Sequence, residues 1–454
     1  MTSTVLVCPG PEQQGLTDAT VPEQVQRVTV TARSSPLAAL PAEVAAQVGP
    51  SAAGASGELL IVPTGATPAA GPSSRGSDAD VVLEGAQGAV VQARGPLAAG
   101  VAATQVHLSL QEQSRGLEVT PCLPPAEESW LLAGGGQAGR LERLVLLNPG
   151  TDPVTATVTV LDRDRSPDPR DGADVVVPGG GRMVRLIDAG TERGSAPAVR
   201  VSTAGGPVAA FLADRWLQGS TDRGLELTTP TSPPARRQVI PGVVRAAGSD
   251  ARTRVRVAVP GAEQAVVQIR ALTRQGPVRL QQDVTLVSGG RTQDIEVSDL
   301  PPGRHGLEVS SDVDVVVAAS AQTEPGAAGA GGLAWSPATP PLHGMAGLVL
   351  DGPAPEQTGR VLQLTAVQPA AAEVVVVDDD GSVRRRRIEL TGQDTSEVAL
   401  GQSSRDVWVR PLAGQVHAAV VWELTDPGGD LLAVAPLPGL PLLRPVTSVE
   451  PVLP

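Results

Sequence analysis

The residues of this chain that could do chemistry come in a few compact groups. LDRDRSPDPRDGAD (161–174) holds five aspartates interleaved with arginines. Calcium needs six to eight closely spaced oxygens. Here Pro167 stands where a calcium loop of the EF-hand kind needs Gly, and Ala173 where it needs the closing Glu. A solvated hairpin tip is the expected reading and a weak calcium site the alternative. VVVVDDDGSVRRRR (374–387) is the sharpest charge feature. Its aspartates and Gly381 suit a hairpin turn. Arg384, Arg385, Arg386 and Arg387 then enter the next strand on alternate faces. They either pair with nearby carboxylates, at under about 1 kcal/mol each, or form an anion patch for the phosphates of a teichoic-type polymer, a phospholipid or a glycan.

The remaining groups are weaker. AGGGQAG (133–139) is glycine-rich, but no GK[ST] follows and the chain has no lysine, so a P-loop is excluded. That also removes S-x-x-K and lysine isopeptide chemistry, and neither G-x-S-x-G nor H-E-x-x-H occurs. His107, His305, His343 and His417 are far apart, and with only two cysteines they make no zinc pattern. Trp130, Trp335 and Trp408 could stack on sugars as a glycan contact if exposed; burial is the default for a sandwich tryptophan. No catalytic, cofactor-binding or metal residue is therefore expected, and the chain reads as a non-enzyme.

Composition says what must position these groups. The 454 residues suffice for three or four domains. With one Phe and no Tyr, the core must be Val, Leu and Ala, and Val favours strands. Fifty-one Gly and 43 Pro suit many short strands joined by turns, and are poor material for long helices. A net charge of −13 argues against nucleic acid and against anionic membrane surfaces. No apolar run is long enough to span a bilayer. Cys8 and Cys122 are either free buried thiols or one disulfide. The bond is the sharper expectation, and it implies an oxidising compartment.

A pattern recurs about every hundred residues. RLVLLNPGTDPVTATVTVLD opens one copy, TRVRVAVPGAEQAVVQIRALT from Thr253 the second and GRVLQLTAVQPAAAEVVVVDDDG from Gly359 the third. Late in each copy a strand carries paired alanines: Ala209–Ala210, Ala318–Ala319 and Ala418–Ala419. The exits VIPGV (239–243) and PLPGL (436–440) look alike. Short alternating strands at this density predict an all-β chain of tandem immunoglobulin-like sandwiches over 123–240, 241–345 and 346–454. Small alanines would let the two sheets approach. Such an array can be extended, with neighbours touching only neighbours. Residues 1–122 read as a more irregular β domain with Ala/Gly/Pro-rich loops, in which SPLAALPAEVAAQVG suits a short helix.

CLPPAEESWLLAGGGQAGRLERLVLLNPG (122–150), with CPGPE at Cys8 and RGLEVTPC ending at Cys122, resembles a family of secreted or membrane-anchored actinobacterial proteins of unknown function. The resemblance implies location and architecture and assigns no chemistry. Members carry an export or anchor segment ahead of CPGPE, so anchoring is expected through a segment outside this sequence. The expectation is a non-enzymatic, extracytoplasmic structural or interaction protein of the cell envelope, with a protein or envelope polysaccharide as partner. The alternative is a glycan-binding accessory to an envelope polysaccharide enzyme.

Overall fold

The computed structural model describes residues 3–11, 27–48, 57–67, 71–111, 115–163, 173–187, 196–280, 284–326, 329–352, 355 and 357–442. Most of the acidic stretch 161–174 lies outside them. The valine-rich, Gly/Pro-punctuated segments form antiparallel strands nearly throughout.

Four units follow one another. Unit I holds β1 (Ser3–Cys8), β2 (Arg27–Ser34), α1 (Ala42–Val48), β3 (Glu58–Pro63), β4 (Asp78–Glu84), β5 (Ala89–Arg94), β6 (Val101–Ser109) and β7 (Gly116–Pro121). Unit II holds β8 (Glu128–Leu132), β9 (Arg140–Leu147), β10 (Val154–Leu161), β11 (Ala173–Val177), β12 (Arg182–Leu186), β13 (Ala198–Ala204), β14 (Ala209–Gln218) and β15 (Thr221–Thr228). Unit III holds β16 (Ala235–Arg245), β17 (Arg252–Ala258), β18 (Ala265–Thr273), β19 (Gly276–Arg279), β20 (Thr285–Val287), β21 (Thr292–Glu296), the long β22 (Gly303–Gln322) and β23 (Leu333–Pro337). Unit IV holds β24 (Ala346–Val349), β25 (Thr358–Ala366), β26 (Ala370–Asp378), β27 (Val383–Leu390), β28 (Asp394–Leu400), β29 (Ser404–Ala413), β30 (His417–Leu424) and β31 (Leu431–Pro436).

Each unit is a pair of sheets with one connectivity. Unit IV pairs β24-β29-β26-β27 and β28-β25-β30-β31; unit II pairs β8-β13-β10-β11 and β12-β9-β14-β15. In unit III, β22 serves both sheets: its first half pairs β16 and β18, its second half β17 and β23. Unit I pairs β1-β5-β3 and β4-β2-β6-β7. That is the same order with one edge strand missing, so the segment read as irregular is a fourth copy. The short helix forms as α1. The matched exits are not equivalent: Val239–Val243 lies in β16, the first strand of its unit, whereas 436–440 follows the last strand.

The array is closed rather than extended. The last strands of the units pack in a circle, β7 on β15, β15 on β23, β23 on β31 and β31 back on β7. Glycines permit the approach. A Cβ on Gly116 would lie 3.1 Å from the Leu225 Cβ, and one on Gly224 2.3 Å from the Leu333 Cβ; on Gly332 it would lie 3.1 Å from the Leu431 Cα. The paired alanines explain the wider contacts. Ala210, Ala319 and Ala418 face their own cores, while Ala209, Ala318 and Ala419 face the preceding unit. Unit I has the same pair, Ala103 inward and Ala102 toward unit IV. The alanines thus serve contacts between units as well as between sheets. These strands are largely buried on both faces, and β30 is buried from His417 to Trp422 without a break where alternation would be expected.

The junction of units I and IV completes the circle. α1 and the turn before it lie on the outer face of a unit IV sheet, with Val44 and Val48 against Val375 and Trp408. Beside them the buried Arg33 meets Asp78 and Asp351 at 2.5 Å each, and Asp406. Arg115 reaches from the start of β7 to Asp426, 2.7 Å away. Burial pushes Asp406 up to about 7, outweighing Arg33.

Two outcomes follow. Gly224→Val must separate β15 from β23 at a φ of +136°, and should cost about 2–3 kcal/mol in urea unfolding. Gly219→Ala, in open space, should cost only about 1 kcal/mol. The folded value of Asp406 lies above its unfolded one, so its contribution is complete in acid and is lost as pH rises through about 7. The contribution of Asp406 to the thermal midpoint should fall between about pH 4 and about pH 7, and Asp406→Asn should flatten that slope.

Candidate functional site

Each unit leaves its last strand through a proline-rich exit: CLPPAEE (122–128), PTSPPAR (230–236), PATPPLHG (337–344) and PLPGLP (436–441). Proline fixes φ and lacks a donor, so between the strands the exits run extended and pair only at isolated bridges, such as Val7↔Leu123, Ala126↔Val208, Trp130↔Thr231 and Ala346↔Gly439. Because the last strands meet in a circle, the four exits converge at one end of the axis. They wall a pocket of about 330 Å³ in which Pro124, Pro230, Pro340 and Pro438 come from four different units, with Ala209 and Ala210 of β14 also lining it.

The pocket is mainly apolar. Its polar groups are Glu128, Ser129, Thr229, Thr339 and the exposed His343. Arg200 Nη2, 2.8 Å away, and Trp130 Nε1, 2.9 Å away, both donate to Glu128 and hold its carboxyl below the usual range. A second hollow of about 370 Å³ lies between units III and IV and shares the Thr339–Pro341 wall. There His417 Nδ1 donates to the Thr339 carbonyl at 2.8 Å. Burial lowers His417 to about 4, so its imidazole is neutral at physiological pH.

Below the pocket, buried acids surround the axis. Asp214 accepts from Nε and Nη2 of Arg140, from the Trp335 indole at 2.7 Å and from the Gly134 N–H at 2.9 Å. Burial pushes Asp214 up, but Arg140 and these donors outweigh it and leave the carboxyl lowered. Its cross-strand neighbour Glu226 is driven well above its ordinary value, by burial first and then by Glu118 and Asp214. Among the described residues, no three His, Cys, Asp or Glu are grouped to hold a metal.

The tryptophans read as sugar platforms are not on the surface. Trp130, Trp335 and Trp408 are 4%, 2% and 1% exposed. Trp335 is locked between units II and III by Asp214 and by the Arg256 guanidinium 4.9 Å over its ring. Trp408 lies beneath α1. Their interior positions correct the glycan-contact assignment, since stacking needs an open ring face. Cys8 and Cys122 are bonded, tying β1 to the end of β7. The 378–381 turn and the arginine strand form as expected. Arg384 pairs with Asp378 at 2.7 Å, Arg387 with Glu389, and Arg385 donates to the Ala38 carbonyl. This group lies on an edge strand and lines none of the axial pocket. Asn148 shapes its turn, accepting from the Gly150 N–H and donating to the Asp152 carbonyl. The 133–139 glycine run is a turn whose N–H groups bind Asp214 and Glu142.

The axial pocket has a signal in the sequence: RGLEVTP (115–121) and RGLELTTP (223–230) are near copies, each followed by a Pro-Pro exit. One family model, described as a family of unknown function (DUF5719), matches residues 72–401. The chain belongs to this family. No curated protein matches it. The DUF5719 match starts within unit I and ends just after β28, so all four units contribute to it. No helix among the described residues is long and apolar enough to cross a membrane.

Removing the bridge with Cys8→Ala and Cys122→Ala opens a loop of 114 residues. Stability should drop by about 4–5 kcal/mol on the chain-entropy model, measured by denaturant unfolding against the oxidised parent.

Proposed function

We propose that this DUF5719 protein is a non-enzymatic, extracytoplasmic interaction protein of the cell envelope, and that it binds a partner protein at the axial pocket. The observation that carries the reading is the pocket's construction. Four units each supply one wall, so the site exists only in the closed molecule, as expected where selection acts on a preformed binding surface. Rigid proline walls lose little entropy on binding. The apolar lining suits aliphatic side chains of a protein better than a sugar, because the stacking surfaces a sugar uses are interior here. The Cys8–Cys122 bond supports an oxidising compartment.

Gly439 lines the pocket and has open space at its Cβ position, so Gly439→Trp should fill the site without disturbing the fold. Crosslinking in envelope preparations of the native host should trap a discrete protein adduct, and Gly439→Trp should abolish it. External protease should degrade the protein in intact spheroplasts. An adduct undiminished by the tryptophan would overturn the pocket assignment. Protection from protease, with both thiols alkylatable in fresh extract, would overturn the location.

A further inference from the structure

We infer that the free edge of β27 docks an extended acidic segment of a partner protein, which joins the sheet as an added strand. This surface is separate from the axial pocket and does not depend on it.

The observation is an edge that is long, regular and basic. β27 ends the order β24-β29-β26-β27 and hydrogen-bonds only β26. That pairing runs without a register shift from Ala370↔Leu390 to Val377↔Val383. In an antiparallel ladder the backbone groups of alternate residues point to one side, so the other set along β27 points outward. Natural edges are usually blunted by shortness, bulges, proline or charge; this strand is long, unbulged and free of proline, and only its arginines guard it. The corresponding edges elsewhere are shorter: β11 has five residues, β19 four and β20 three.

Side-chain charge selects the occupant. Val383 to Arg387 are all exposed, and four of the five are arginine. Arg384 and Arg386 lie on one face of the strand and Arg385 and Arg387 on the other, so an added strand meets cations on both faces. Arg384 and Arg387 each hold one carboxylate, and Arg385 gives one nitrogen to a carbonyl. Arg386 has no partner among the described residues. A second copy of the chain is a poor occupant, because two such edges bring eight arginines together. An acidic strand satisfies both the outward backbone groups and the charge.

The test uses the full oxidised chain and a fluorescent octapeptide with four consecutive glutamates flanked by valine and threonine. Anisotropy in low salt, about 50 mM to limit screening, should show saturable binding. N-methylation of one alternating set of peptide amides should weaken binding at least tenfold, and methylation of the other set should not. Arg385→Glu with Arg386→Glu should also weaken it at least tenfold. Arg385→Gln with Arg386→Gln, which avoids new charge repulsion, should weaken it less. Arg385 and Arg386 are exposed, so an unchanged thermal midpoint confirms folding, and Arg279→Ala on unit III serves as the distant control. Absence of binding would overturn the proposal. So would equal binding of both N-methylated peptides, or binding of inorganic polyphosphate alone, which would mark an anion site without strand addition.

Discussion

In each unit the next-to-last strand of the closing sheet, such as β14 or β30, has almost no face for water. One side covers its own core, and the other must lie on the preceding unit. A head-to-tail contact of this kind either repeats without end or closes when its rotation divides the circle. Here it closes after four repeats, with unit I seated on unit IV. The axial strands, the convergence of the exits and the pocket all follow from that closure.

Closure demands small residues where strands meet. The chain has one Phe and no Tyr, so its interfaces are built from Ala, Gly, Val and Leu, with a few tryptophans between units. Arginine supplies the polar connections. Arg256 of unit III donates to the carbonyls of Ala133 and Gly134 in unit II, while Arg304 of unit III meets Glu397 and Glu423 of unit IV. The planar, always charged guanidinium can serve several acceptors at once. Breaking one buried contact of this kind typically costs about 3–5 kcal/mol, since a charge is left behind. These connections fix the relative orientation of units that apolar contact alone would let slide.

Much of the fold was legible because it is local. Strand alternation, the Asn148 turn, the 378–381 hairpin and the single possible cysteine pair are short-range or arithmetical facts. The circle was not legible, because two-face burial erases alternation and looks the same whether the covering surface is a sheet or a neighbouring unit. Ala102–Ala103 and RGLEVTP were visible marks of a fourth copy, but the variable loops of unit I hide the period around them. The tryptophans were expected to be buried, but what buries two of them was hidden for a related reason. A sandwich's outer face is solvent only while the unit stands alone, and Trp335 and Trp408 sit on outer faces that another unit or α1 covers. The axial pocket draws its walls from positions more than three hundred residues apart in sequence, so no local pattern contains it.

Contact between the first and fourth units is the claim on which the pocket, the double-faced strands and the role of α1 all rest. Small-angle X-ray scattering on the monomeric, oxidised chain reads it directly. A closed arrangement gives a radius of gyration near the compact value of about 23 Å for this length. A linear chain of four units, with unit I free of unit IV, would give a value roughly twice as large and would contradict the account.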